Sequence, residues 1–265
     1  MKLKTLFAGA ALALGLATGA DAANLAIFGS NNIATFYGAS NSVSIVNDSQ
    51  LSTPGFLNAY DAFIYTRDGY SFGQGLSVAA AANVKSFVKG NIILLNGDFQ
   101  DDIGQAATDA LFSNALAYVL SGGPGGYLGE YRGSFAAFSS NADGNNPIGL
   151  VNGSAGSSGG GQGGSDGEVE ITAAGLSSPV VAGVPFPYNP GAVEFGATVT
   201  GINPAKVLAQ FSNGNPAIVA GNIDNISIPL PSGVPEPATW GMLILGFFGI
   251  GGALRSRRRS APVAA

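Results

Sequence analysis

The 265-residue chain has no cysteine and no histidine. Without cysteine it forms no disulfide and no thiolate nucleophile, and it lacks the softest metal ligand. An exported protein that does not depend on disulfides fits that composition. Without histidine it lacks the usual general base near neutral pH and another common metal ligand. Charge is also scarce, at 10% of residues. Setting the two ends aside leaves five cations, Arg67, Lys85, Lys89, Arg132 and Lys206, against 14 carboxylates, a net of −9. So acidic a surface excludes nucleic acid as a partner. No cofactor is expected.

Both ends carry patterns of their own. Lys2 and Lys4 precede an apolar stretch from Leu6 to Ala17, and Ala20-Asp21-Ala22 follows. This is the charged start, apolar core and small-residue cleavage site of a secretory signal peptide over residues 1–22, cut after Ala22 with Ala20 in the motif. At the other end, VPEPATW leads into an apolar run at 240–254 and then RSRRR. Fifteen helical residues span about 22 Å, short of a ~30 Å hydrocarbon core. Trp240 suits one membrane interface, and Arg255, Arg257, Arg258 and Arg259 suit the cytoplasmic one. Pro235 and Pro237 stop a helix from running back into the body of the protein, and Glu236 between them is accessible.

This tail, residues 233–259 with 260–265 beyond it, resembles a PEP-CTERM sorting signal in the variant with a Trp three residues after the second Pro. The resemblance implies recognition by an exosortase, transient anchoring in the inner membrane and removal of the tail. It also implies a final place at the cell surface, outer envelope or extracellular matrix, with a link to exopolysaccharide and biofilm.

Between the ends lies an expected single α/β domain at 23–232. Strands are predicted at NLAIF (24–28), VSIVN (43–47), DAFIYT (61–66) and NIILL (91–95). Ser30 caps a short helix carrying Ile33, Phe36 and Tyr37. Pro54 opens a helical segment with Phe56, Leu57 and Tyr60. Leu76, Ala80, Val84, Phe87 and Val88 recur at helical spacing, with Lys85 and Lys89 facing away and Gly90 as a left-handed stop. A further helix is predicted from Ile103 to Leu120, capped by Asp101 or Asp102, with Ala107, Leu111, Ala115 and Tyr118 inward. Alternating strands and helices predict a mostly parallel sheet with helices on both faces. Residues 121–167 hold 16 glycines in 47 positions, which predicts little buried structure there, and 154–167 reads as a flexible loop. Short runs at 168–172, 197–200, 207–211 and 216–220 predict a partly antiparallel extension of the sheet, or a separate small β domain.

The segments NAYDAFIYTRDGYSFGQGLSVAAAANVKSFVKGNIILLNGD, GEVEITAAGLSSPVVAG and VLAQFSNGNPAIVAG resemble the core of class I glutamine-amidotransferase-like domains. The resemblance covers about residues 24–221 and implies a flavodoxin-like doubly wound sheet. Active members carry a Cys on the turn after a buried strand, with His and Glu partners. Here that turn reads Asn96-Gly97-Asp98, so the resemblance implies the fold without the activity.

Gly69-Tyr70-Ser71-Phe72-Gly73 matches the nucleophile-elbow pattern, but Ser71 has no imidazole to activate it, and only a Ser-Lys pair with Lys85 or Lys89 remains. Ser158 fits the pattern only through its Gly/Ser surroundings. Asp98, Asp101 and Asp102 form the densest carboxylate cluster, a weak candidate for calcium and more simply an acidic helix start. Phe36, Tyr37, Tyr60, Tyr65 and Tyr70 are either core or a sugar-stacking surface. The resulting expectation is an exported, non-catalytic structural or binding protein. The alternative is an enzyme that attacks matrix polysaccharide with a pair of carboxylates.

Overall fold

Runs that are apolar at every position become central strands. In a computed structural model, described over residues 22–66, 76–97, 99–130, 168–188 and 202–226, β1 is Asn24–Phe28, β3 is Ala62–Tyr65 and β4 is Asn91–Leu95. From Leu25 to Phe28 and through all of β3, every residue is buried, as both-face coverage by helices requires. The remaining strands are β2 (Ser42–Ile45), β5 (Gly126–Glu130), β6 (Val169–Ile171), β7 (Val207–Phe211) and β8 (Pro216–Asn222). All join one eight-stranded sheet in the order β2-β1-β3-β5-β4-β8-β7-β6. The first five are parallel, and β8, β7 and β6 add antiparallel at one side. The late runs therefore extend the main sheet, while the expected run at 197–200 lies outside the described residues.

Helices cover both faces. Helices α1 (Asn31–Gly38) and α4 (Ala106–Ser121) pack on one side, where Ile33, Tyr37, Leu111, Phe112 and Val119 meet Leu25, Ile27, Ile64 and Leu128. Helix α3 (Val78–Phe87) packs on the other, where Ala80, Ala81 and Val84 meet Phe63, Ile92 and Leu94. Short α2 (Asp48–Leu51) is tied to α3 by polar contacts. Asn47 and Gln50 form a reciprocal capping box, Asp48 accepts from the Ser77 N–H at 2.7 Å, and Asn83 donates to the Leu51 carbonyl at 2.9 Å. Lys85 and Lys89 are exposed, as the helical spacing predicts.

Several local expectations are corrected. The helical segment expected after Pro54 is a 3-10 helix, Phe56–Ala59, but left-handed Gly55 is its N-cap, Pro54 lies before it and Tyr60 is its C-cap. Helix α4 starts at Ala106, three residues late. Asp101 and Asp102 sit in a separate 3-10 turn at Gln100–Asp102, and neither caps the helix. Gly90 is not a left-handed stop; α3 ends in an extended Val88, and a Cβ on Gly90 would meet the Gly123 carbonyl oxygen in a tight 3.1 Å contact. The glycine-rich stretch contains a fully buried strand, β5, inserted between β3 and β4. Its glycines allow close packing: a Cβ on Gly126 would sit 2.4 Å from Cγ1 of Val119 on α4.

Candidate functional site

In open α/β sheets, ligands meet the carboxyl ends of the strands where the strand order reverses. Here β1 is that point, with β2 on one side and β3 on the other. Among the described residues, all the buried polar side chains but Thr108 of α4 collect along this end. Ser30, Thr66, Asn96, Gln100 and Glu130 are each at most 3% exposed, and each follows or ends a parallel strand.

Between β1 and β3 the chain exits lie in near contact. Gly29 has φ +118°, and a Cβ there would fall 1.6 Å from the Thr66 carbonyl oxygen. The Ser30 N–H donates to Thr66 Oγ1 at 2.8 Å, while Ser30 Oγ accepts from the N–H groups of Asn32 and Ile33 and so caps α1. One residue thus ends a strand, starts a helix and ties two strand exits together.

Further along, Glu130 ends β5 opposite Leu95 of β4 and is wholly buried. Its carboxyl oxygen accepts the Gln100 N–H at 2.6 Å, a short bond. Asn96 donates from Nδ2 to the Pro216 carbonyl at 2.8 Å and from its backbone N–H to Ala217. The turn expected to correspond to a nucleophile elbow is therefore stitched to β8.

The Glu130 charge acts on two buried phenols. Tyr37 donates to the Phe112 carbonyl at 2.9 Å, and burial, with the Glu130 charge second, holds its hydroxyl well above the usual tyrosine range. Tyr188 shares a 2.6 Å hydrogen bond with Thr108 and packs edge-on to Phe99 at 5.3 Å. Burial pushes Tyr188 up to about 12; the Thr108 hydrogen bond opposes this, and the charges of Asp102, Glu130 and Asp109 add to it. The fold thus holds the neutral phenol, against an unfolded value near 10. Stability from this group is complete below pH 10 and is lost as pH rises from there toward 12. In alkaline denaturation series Tyr188→Phe is expected to lose less stability across that window than the native chain. Equal losses would mean that Tyr188 ionises as freely in the fold as out of it.

Of the expected carboxylate cluster, only Asp101 and Asp102 fall among the described residues. Asp98 lies outside them; Asp101 is exposed, and Asp102 accepts from Gln105 Nε2 at 3.3 Å. Burial is the first cause that raises Asp102, the Asp101 charge the second, and the Gln105 hydrogen bond opposes both. No group of three His, Cys, Asp or Glu that could hold a metal occurs among the described residues. Ser71, Ser158 and Tyr70 lie outside them, as do Ala20, Pro235, Glu236, Pro237, Trp240, Arg255, Arg257, Arg258 and Arg259. Ala22 is exposed just before β1. Among the aromatics, Tyr37 and Tyr65 are core, whereas Phe36 and Tyr60 are half-buried. Phe36 and Tyr37 wall a groove of about 420 Å³ between α1 and α4, rimmed by Ser40, Asn41 and Ser113, with no charged residue in its lining.

Thr66, Gln100 and Glu130 were not singled out in the sequence. Glu130 had one available signal: it is the lone carboxylate between residues 121 and 142, placed directly after a short run with Tyr127 and Leu128. No protein-family model, curated protein or solved structure matches the chain.

Proposed function

We propose that this is an exported protein sorted to the cell surface or matrix through a PEP-CTERM tail, with an α/β body that binds or scaffolds and does not catalyse. The ordered VPEPATW, apolar run and arginine cluster at 234–259 carry this reading. Exosortase is the partner it names for the tail, with exopolysaccharide the ligand class for the body. The body is read as an amidotransferase-like domain without its machinery. Strand order 2-1-3 around β1 agrees with doubly wound sheets, while β5 between β3 and β4 departs from the flavodoxin order. At the described strand ends Ser30, Thr66 and Asn96 are engaged in hydrogen bonds, which supports a structural role for them. The uncharged groove walled by Phe36 supports sugar binding, since sugar faces stack on aromatic rings and their hydroxyls bond small polar side chains.

One observation favours the second reading, a carboxylate-dependent enzyme on matrix polysaccharide. Glu130 is buried at the strand ends, and its charge and that of Asp102 both act on Tyr188. A single experiment separates the two. Protein recovered from the envelope or medium of the producing cells is taken for intact-mass analysis, then incubated with the host's exopolysaccharide. The expected mass lacks both the leader and the residues beyond the Pro-Glu-Pro turn, and the polymer binds without shortening. Recovery of a chain extending to Ala265 would overturn tail processing. Depolymerisation that disappears in Glu130→Gln would replace the binding reading with the enzyme.

A further inference from the structure

The two edges of the sheet are unlike. At β6 the Val169 carbonyl already accepts the Tyr188 N–H at 2.8 Å, and exposed Glu168 and Glu170 guard the strand. At β2 neither device is present. Residues 38–47, GASNSVSIVN, contain no charge and no proline, and Ile45 is 56% exposed.

The direction of the β2 backbone groups follows from its bonds to β1. The Ser42 N–H donates to the Ala23 carbonyl at 2.9 Å and the Val46 N–H to the Ile27 carbonyl at 2.8 Å. Even-numbered residues therefore face β1, and Val43 and Ile45 turn their N–H and C=O groups outward. Just beyond, the outward Asn41 and Asn47 N–H groups are already bonded, to the Tyr37 carbonyl and to Gln50 Oε1. Among the described residues, nothing bonds the outward groups of Val43 and Ile45.

We infer that β2 is a self-pairing edge, through which two copies of this chain join their sheets antiparallel about a two-fold axis at Ser44. In that register Val43 lies opposite Ile45 of the second copy, and each such pair exchanges two N–H···O=C bonds. All four outward groups of each strand are used, and none is left over. Val43 and Ile45 share the α1 face of the sheet, since they align with Leu25 and Ile27, so the facing side chains form an apolar cross-strand pair. Ser44 meets Ser44 on the other face. The guarded β6 edge blocks head-to-tail growth, so the pairing closes at a dimer. Two acidic copies repel each other, and salt strengthens their association by screening that repulsion. The patch is small, so the dimer is a weak one.

The test is sedimentation of the full chain over a concentration series at low and high salt, with amide exchange read in parallel. The expected result is a dimer fraction that rises with concentration and with salt, and Val43 and Ile45 amides that exchange more slowly as it rises. Ile45→Lys is expected to weaken association about tenfold or more by setting a cation against the apolar Val43 in both cross-strand pairs. Val43→Pro removes an outward N–H that β1 does not use, and is expected to do the same with an unchanged circular dichroism spectrum. Leu176→Lys, at a 75% exposed site elsewhere, should leave association as it was. A monomer at every concentration would overturn the inference. So would a dimer that survives Ile45→Lys without protection at Val43 and Ile45, which would move the contact to the apolar tail.

Discussion

Leu94→Ala is expected to lower the unfolding free energy by about 2 to 5 kcal/mol. Leu94 is fully buried on β4, with hydrogen-bonded strands on both sides. Its cross-strand partners are Gly129 on β5 and Val219 on β8. Gly129 offers no side chain to fill the space that truncation would leave. Above it lies the core closed by Ala80 and Val84 of α3 and by Leu76 and Val88 just outside its two ends. A strand held on both sides by ladder bonds cannot shift to collapse the cavity, which places the cost well above that of methyl transfer alone. Urea unfolding of the native and Leu94→Ala chains measures it, with an unchanged denaturant slope as the check on the unfolded state. Leu176→Ala, at an exposed site, is expected to stay within about 0.5 kcal/mol. A loss of only a few tenths at Leu94 would remove β4 from the centre of the sheet.

Gly29→Ala is expected to cost about 3 kcal/mol or more, from backbone strain and overpacking together. The added Cβ would fall 1.6 Å from the Thr66 carbonyl oxygen and 2.9 Å from Thr66 Oγ1. Both belong to the exit of β3, so β1 and β3 must part at their carboxyl ends. Parting them breaks the 2.8 Å bond from the Ser30 N–H to Thr66 and disturbs the Ser30 cap of α1. Gly104→Ala separates the two contributions. Gly104 also has positive φ, +103°, but nothing lies within 4 Å of its Cβ position, so only conformational strain applies, about 1 kcal/mol or somewhat more. Chemical denaturation gives the totals, and amide exchange at Ser30 and Ile33 shows whether the first turn of α1 has loosened. Equal costs at Gly29 and Gly104 would mean that the two strand exits are not in contact.

Local pattern and tertiary context divide the protein between them. The cores of β1, β3 and β4 were legible because a strand covered on both faces must be apolar at each position, whatever its neighbours. Helix α3 was legible because its buried residues recur at the helical period, and the Ser30 cap because only the local backbone is involved. The tail pattern at 234–259 and the absence of Cys and His are properties of sequence alone, and every statement about sorting and missing acyl-transfer chemistry rests on them. What the sequence did not disclose depends on approach between distant segments. Strand β5 looked like loop because Gly126 and Gly129 weaken a strand in isolation; next to Val119 of α4, a glycine is what fits. The polar row at the strand ends joins residues up to 100 positions apart, from Ser30 to Glu130, and only the sheet order places them in one line. The same holds for the edges: the charges beside β6 are visible in the sequence, but only tertiary packing covers it with Tyr188 and, among the described residues, leaves β2 without such a cover.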